Sequence, residues 1–281
     1  VLRATELAGL ADDIYNLGLR GTLDPARQAD CAEKILQARV VLREQLSQLP
    51  LSKLVEPFDP GKYNPQQTIA ENLLFGTAVG DAFATENLAT TPYLREILES
   101  TGLRDTLFDI GVKIADTVVE LFADLPPGHP FFEQLSFMGA EEIPDFSAGL
   151  ARVGTLEAEQ VSSADLFLFL KLPFSYVEPR HRLKLLDNEV QNKILAARAR
   201  FRDNLPESLA SSIEFYDPEA YNTASNIEAN ILFGCINYGI AEAPVAIRKA
   251  IQKVVEDLNL REDIFKVGLN YNVGTGGKRL S

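Results

Sequence analysis

Apolar residues recur at helical spacing along most of this chain, and strand-like alternation is rare. The spacing predicts a helix over residues 3–19, with Gly18 and Gly21 at the turn that follows it. Asp24-Pro25 is predicted to begin a second helix, because a carboxylate N-cap before a proline is a common helix start. This helix should end near Pro50, and its predicted buried positions are Ile35, Leu36, Leu42, Leu46 and Leu49.

The same spacing predicts further helices down the chain, and strand signals are sparse, so few short strands are expected. The strands are expected at Lys53–Phe58 and Ser212–Tyr216. A basic helix is predicted at 187–202, with buried positions at Val190, Ile194, Leu195 and Phe201. Another helix is predicted to be capped by Ser162, with Asp165 completing the capping box. The predicted fold is mainly α and multi-helical, with two related helical lobes. The other helices are expected at Gln66–Gly76, from Thr91-Pro92 to near Gly102, at Leu103–Phe122 and at Val245–Leu258.

Two distant stretches of the chain repeat each other. Residues 59–76 read DPGKYNPQQTIAENLLFG and residues 217–234 read DPEAYNTASNIEANILFG, with 9 of 18 positions identical at an offset of 158. Leu103–Gly111 matches Leu260–Gly268 at an offset of 157. Solenoid units have periods of about 20–50 residues, so this long period predicts the duplication of one helical module.

The repeat suggests four consecutive segments. Residues 1–50 form the helical hairpin, 51–130 the first copy, 131–215 a middle segment with the basic helix, and 216–281 the second copy. Pro126-Pro-Gly-His-Pro130 is the predicted linker after the first copy.

The length, apolar content and charge of the chain argue against some classes of function. The chain has 281 residues, 46% of them hydrophobic, and a net charge of −13. That length and apolar content predict a sizeable core, and the negative charge argues against general nucleic-acid binding, which needs clustered Lys and Arg. Ala164–Phe174, the longest apolar run, is shorter than a membrane span and is expected to be a buried element. Two distant cysteines, Cys31 and Cys235, give no disulfide framework and fit a reducing cytoplasm.

The repeated pattern Tyr-Asn-x₄-Ile-x₂-Asn-x-Leu-Phe-Gly has two interpretations. One is packing, in which Ile69, Leu73, Leu74 and Phe75 are buried and Asn72 makes a local hydrogen bond. The other is a family resemblance: the pattern is similar to the segment after the Q-loop of ATP-binding-cassette (ABC) ATPases, which opens their helical subdomain. The Q-loop glutamine is not matched, since Glu56 precedes the first copy and Glu214 and Asp217 lie at the second.

The run Val273-Gly-Thr-Gly-Gly-Lys-Arg-Leu-Ser281 resembles the sequence that leads into the ABC signature motif, which normally continues Gly-Gly-Gln. It does not fit a P-loop, because Arg279 follows Gly277-Lys278 where that motif needs Ser or Thr. A flexible glycine-rich tail is the plainer alternative. The resemblance implies that the chain is part of a longer ATPase, with ATP and Mg²⁺ bound in the parent protein and no cofactor in this fragment.

The resemblance also implies roles for particular residues and partners. Gly276, Gly277, Leu280 and Ser281 would face nucleotide in the assembled parent, with Ser281 at a helix N-terminus that favours an anion. Val273 and Gly274 would belong to a coupling loop. The implied partners are the nucleotide-binding core of the same parent chain, a membrane transport domain and a second protomer. Because no Walker A or Walker B motif is present, the fragment alone is expected neither to bind ATP tightly nor to hydrolyse it. The alternative is a non-catalytic helical scaffold for protein interaction, unrelated to ATP.

Residues 180–202 concentrate positive charge in an acidic chain. This segment is either a solvated helix face or a docking face for an acidic partner or for anionic lipid headgroups. Its candidate docking residues are Arg180, Arg182, Arg198 and Arg202. A metal site is not expected, because His129 and His181 have no second His or Cys nearby.

Overall fold

A computed structural model describes residues 10–48, 51–122, 139–154, 156 and 160–272. Contacts divide these residues into two units. Residues 10–58 and 216–272 form one, here called the terminal unit, and residues 59–215 form the other, the internal unit. Each unit therefore has its own core and is described separately.

The predicted mainly α fold is confirmed, and the described residues include four short strands paired in two small sheets. The helices are α1 (Ala11–Leu19), α2 (Ala29–Leu46), α3 (Ile69–Leu74), α4 (Pro92–Ser100), α5 (Leu103–Phe122), α6 (Ile143–Val153), α7 (Ser163–Phe174), α8 (Glu178–His181), α9 (Asn188–Asp203), α10 (Ile227–Leu232), α11 (Ala243–Asp257) and α12 (Arg261–Leu269). The strands are β1 (Val55–Pro57), β2 (Gly76–Ala78), β3 (Ile213–Phe215) and β4 (Gly234–Ile236), and short 3₁₀ turns lie at Leu51–Lys53, Thr85–Thr90, Ala140–Glu142 and Glu207–Ser212.

The terminal unit is built from both ends of the described chain. α1 packs against α12, α2 packs against α10 and α11, and β1 pairs antiparallel with β4. The pairing places Glu56 opposite Cys235. The core is aliphatic, with Ile35, Leu42, Ile227 and Ile247 fully buried. None of these contacts joins neighbours in sequence.

The internal unit repeats this arrangement with other helices. α7 packs against α5, α9 packs against α3, and β2 pairs antiparallel with β3. The core is richer in aromatic rings, and it includes Phe108, Phe146, Phe169 and Phe201. α6 packs on α5 and α7 and has no counterpart among the described helices of the terminal unit. Its Arg152 forms an ion pair with Asp165 at 2.5 Å.

Two predictions about the first helices were wrong. α2 begins at Ala29 rather than at Asp24-Pro25. The Asp24 carboxylate accepts a hydrogen bond from the amide of Ala26 at 3.0 Å and so caps an isolated turn before the helix. Gly18 lies inside α1 instead of at a turn. Glycine is needed there because a side chain would collide with the backbone carbonyl of Ile264 on α12.

Most other elements lie where they are predicted. α4 starts at Pro92 after Thr91, α5 covers the predicted residues, and Asp187 caps α9 by accepting from the amide of Val190 at 2.9 Å. Ser162 caps α7, but the Asp165 carboxylate binds Arg152 instead of completing the capping box on the Ser162 amide. The helix predicted at 66–76 is shorter, since Thr68 caps it and a strand begins at Gly76.

Burial agrees with the predicted apolar faces in part. Ile35, Leu42 and Leu46 on α2 are buried, as are Ile194 and Phe201 on α9. Leu36, Val190 and Leu195 are only partly buried, because each lies at the edge of its helix's apolar face. Leu49 lies outside the described residues, as do the predicted linker at 126–130 and His129. Within the described chain, no helix is long and apolar enough to cross a membrane.

Two arginine clasps on the repeated motif

A buried arginine of α2 holds the second copy of the motif in the terminal unit. Arg39 is only 4% exposed. Its Nε donates to the carbonyl of Asn230 at 2.8 Å, and its Nη2 donates to the Asn230 side-chain Oδ1 at 3.1 Å. Its Nη1 donates to the carbonyls of Asp217, Pro218 and Ala220 at 2.8–3.0 Å. One guanidinium thus fixes the start and the end of the motif together.

The internal unit contains the same arrangement, built by Arg198 of α9. Nε donates to the carbonyl of Asn72 at 2.6 Å and Nη2 donates to Asn72 Oδ1 at 3.0 Å. Nη1 donates to the carbonyls of Asp59, Pro60 and Lys62 at 2.9–3.3 Å. The two clasps therefore correspond atom for atom.

The asparagine of each motif closes the loop that the arginine holds. Asn72 Oδ1 accepts from the amide of Asn64 at 2.8 Å, while its Nδ2 donates to the Asn64 carbonyl at 2.8 Å and the Thr68 carbonyl at 3.0 Å. Asn230 makes the equivalent bonds to Asn222 and Asn226. The predicted local hydrogen bond of Asn72 is confirmed, and so is the burial of Ile69, Leu73, Leu74 and Phe75.

Each motif helix ends on a phenylalanine in the left-handed conformation. Phe75 has φ 46° and Phe233 has φ 44°. This position usually belongs to glycine, and a bulky residue there is strained. The following glycine is needed elsewhere, because a side chain at Gly76 or Gly234 would meet the facing strand's carbonyl at 2.7 Å. The strain therefore falls on the phenylalanine.

The clasps compensate part of this strain. The Arg198 guanidinium lies 4.5 Å from the centre of the Phe75 ring, and Arg39 lies 4.4 Å from the centre of the Phe233 ring. A cation over an aromatic face contributes about 0.5–2 kcal/mol, more where it is desolvated. The ring of the left-handed phenylalanine thus packs against the guanidinium and forms one wall of the site.

A small cleft opens beside each clasp. The cleft of the terminal unit has a volume of about 180 Å³, and that of the internal unit about 200 Å³. Corresponding residues line both: the clasp arginine, the arginine one turn later and the left-handed phenylalanine (Arg39, Arg43 and Phe233; Arg198, Arg202 and Phe75). In the terminal unit Val40, which is 56% exposed, lies at the cleft where the internal unit has Ala199.

The protonation state of the two clasp arginines suits them to bind neighbouring groups and not to transfer protons. Burial lowers the pKa of Arg39 to about 10, against the opposing charges of Asp217 and Glu219. Burial likewise lowers the pKa of Arg198 to about 10. Both groups stay protonated near neutrality and donate from every nitrogen. They can fix backbone and polarise a neighbour, but they are poor general bases.

One predicted docking residue is corrected by this geometry. Arg198 was assigned to a docking face, but it is 5% exposed and its guanidinium is occupied by the motif. Arg202 is exposed at the rim of the internal cleft, with its guanidinium 5.5 Å from the centre of the Phe215 ring. Arg180 and Arg182 are exposed around the end of α8. The docking role of these three remains a prediction.

The other predicted site residues are not brought into the clasps. Val273, Gly274, Gly276, Gly277, Leu280 and Ser281 all lie outside the described residues. Glu56 and Glu214 occupy equivalent places on β1 and β3, and the Asp217 backbone takes part in the clasp of Arg39. In the described ranges, no three His, Cys, Asp or Glu side chains converge as metal ligands. His181 is buried, and its Nδ1 accepts from the amide of Val177 at 2.9 Å.

Arg39 is not among the predicted site residues and Arg198 is predicted to have a different role, although a signal for the clasp arginines is present in the sequence. Residues 34–43 read KILQARVVLR and residues 193–202 read KILAARARFR, identical at six of ten positions at an offset of 159. The duplication therefore includes the clasp helices upstream of each motif. The two offsets differ by one residue, which breaks an ungapped alignment between helix and motif.

No family model, no curated protein and no solved structure matches this chain.

Proposed function

We propose that this chain is the helical portion of an ABC-type ATPase, which couples the nucleotide state of its parent protein to a partner. The observation that carries the proposal is the order of elements in residues 216–281. The clasped motif contains α10 and leads into β4, α11 and α12, and then into the run at 273–281 that resembles the approach to the signature. A short helix, further helices and the signature follow the Q-loop in the same order in that family.

The clasp suits such a coupling role physically. Five hydrogen bonds from Arg39 join α2 directly to the motif. A displacement of α2 would therefore move the motif with it, and the reverse. Packed elements transmit displacement because close-packed interiors deform little. In this proposal Ser281, Gly276, Gly277 and Leu280 face the nucleotide of the opposite protomer, and Val273 and Gly274 lie in the coupling loop.

The proposal assigns partners and a place in the cell. The nucleotide-binding core lies in the same parent chain, ATP and Mg²⁺ bind there, and a membrane transport domain receives the movement. The chain then works in the cytoplasm at the inner face of a membrane. ATP supplies the driving free energy, and the residues of this chain transmit the resulting movement to the transport domain.

A helical interaction scaffold unrelated to ATP is the second candidate. The specific observation in its favour is the pair of corresponding clefts, one in each unit. A scaffold with two similar binding clefts needs no nucleotide. The two candidates differ in whether the parent protein responds to ATP.

Nucleotide binding and hydrolysis by the complete protein that contains this chain test the proposal. We expect the complete protein to bind Mg-ATP, and the 281-residue chain alone to bind none at millimolar nucleotide. We expect Ser281→Arg to lower ATP hydrolysis at least about tenfold, a loss of about 1.4 kcal/mol of transition-state stabilisation. Ser47→Arg, at an exposed serine at the end of α2, is the matched control and should leave hydrolysis unchanged. A complete protein that fails to bind ATP would leave the scaffold as the better account.

A further inference from the structure

The two repeats exchange their halves. The first repeat runs α1, α2, β1, α3, β2, α4, α5. The second runs α7, α9, β3, α10, β4, α11, α12, with the four-residue α8 between α7 and α9. The chain passes from the terminal unit to the internal unit after Phe58 and returns after Phe215. Each unit therefore combines the first half of one repeat with the second half of the other.

The contacts that close the two units correspond in detail. In the terminal unit the amide of Ile227 donates to the carbonyl of Gly21 at 2.9 Å, just after α1. In the internal unit the amide of Ile69 donates to the carbonyl of Tyr176 at 3.2 Å, just after α7. The clasps follow the same rule, since Arg39 of the first repeat holds Asn230 of the second, and Arg198 of the second holds Asn72 of the first.

The helix crossings also correspond. Gly268 of α12 lies against the backbone carbonyl of Ile14 on α1, with no room for a side chain. Gly111 of α5 lies in the same way against the carbonyl of Phe169 on α7. Close backbone approach at equivalent glycines shows that the same pair of surfaces has been used twice.

We propose that each repeat is an incomplete half whose partner is the opposite repeat, and that the two halves stay associated without a peptide link between them. Both hydrophobic cores and both clasps lie across this division. A repeat on its own would expose the inner faces of two half-cores and leave its arginine without the motif carbonyls that it binds, which is costly for a buried charged group. A second copy of the chain presents the same halves, so the surface is also open to exchange between chains.

Cleavage of the intact chain between its repeats tests this inference. A specific protease site is introduced between Phe122 and Gly139 in the full 281-residue protein, which is then cut under native conditions. We expect both fragments to migrate together, at the mass of one uncut chain, in sedimentation at about 1 µM, because two joined contact regions reinforce each other. Uncut protein carrying the same site is the control. Fragments that sediment separately overturn the proposal.

Substitutions in the cut protein identify the surface responsible. Arg39→Ala and Arg198→Ala each remove a clasp between fragments, and either should raise the dissociation constant at least about tenfold. Arg248→Ala, at an exposed position on α11 away from the clasps, should leave it unchanged. If each fragment instead contained both sides of its own clasp, neither substitution would alter association, and the exchange would be disproved. This test does not depend on any role for ATP.

Discussion

Arg39 and Asn230 are 191 residues apart, and the guanidinium of the first binds both the backbone carbonyl and the side-chain oxygen of the second. Arg198 and Asn72 repeat the relationship in the other unit with the order along the chain reversed. This reciprocity gives each substitution an effect at a distant and predictable place in the sequence.

Arg39→Met should destabilise the terminal unit by about 3 kcal/mol or more, because five hydrogen bonds are lost and buried acceptors stay unsatisfied. Hydrogen exchange locates the effect. Protection should fall at the amides of α10 and β4, while α3 in the internal unit keeps its protection. Arg43→Met is the matched control, since its side chain lies at the rim of the cleft. Unchanged protection in α10 would show that the clasp does not hold the motif.

The left-handed phenylalanines predict an unusual order of stability. At Phe233, replacement by glycine should cost less than replacement by alanine, by about 1 kcal/mol, because only alanine keeps the left-handed strain. Phe265, within α12, is the matched control and should show the reverse order, since glycine weakens a helix interior. Urea denaturation of the four variants measures both differences. Alanine better than glycine at Phe233 would contradict the assigned backbone conformation.

The crossing of α1 and α12 should not tolerate a methyl group. Gly18→Ala places its Cβ against the carbonyl of Ile264, and the resulting overpacking should cost about 1–3 kcal/mol. Gly61→Ala, where the new Cβ would lie 3.4 Å from the Asp59 carboxylate, should be close to neutral. Thermal unfolding of the two variants distinguishes them, and equal melting temperatures would rule out the close crossing.

The Asp165–Arg152 pair predicts a pH-dependent contribution to stability. The hydrogen bond from Arg152 lowers the pKa of Asp165 below its usual value, with Ser162 adding to the effect. The pair's stabilisation is therefore fully present above the unfolded pKa of about 3.9 and is lost as the pH falls through the lower folded pKa. Asp165→Asn should unfold at a lower temperature than the wild type at pH 7, and the difference should shrink as the pH falls below the unfolded pKa of about 3.9. A constant difference from pH 7 to pH 2 would argue against the pair.

Local patterns predicted the local structure well. Thr91-Pro92 and Asp187 marked helix starts because capping depends on neighbouring residues, and the apolar spacing gave α5 its length. Gly18 was placed at a turn because nothing near it in sequence indicates that another helix crosses there. At the same crossing of α1 and α12, Ile14 contacts Gly268, and these two residues are far apart along the chain. The crossing therefore leaves no local signal in the sequence.

The candidate site was predicted only in part. Asn72 was expected to make a local hydrogen bond, and it does so. Arg198 was assigned to a charged surface, because an arginine in a basic helix looks like its solvated neighbours until the carbonyls that it binds are known. The first of those carbonyls belongs to Asp59, which lies in the first repeat, whereas Arg198 lies in the second. The sequence alone does not indicate that these two segments are in contact.

Sequencing the reading frame on both sides of these 281 residues would decide between an ABC-type ATPase and a scaffold. The proposed ABC assignment predicts a P-loop, Gly-x₄-Gly-Lys-Ser/Thr, before Val1, and Gly-Gly-Gln or a close variant with a Walker B strand after Ser281. A frame that contains neither motif would contradict the assignment. The clasped units would then be understood as an interaction scaffold.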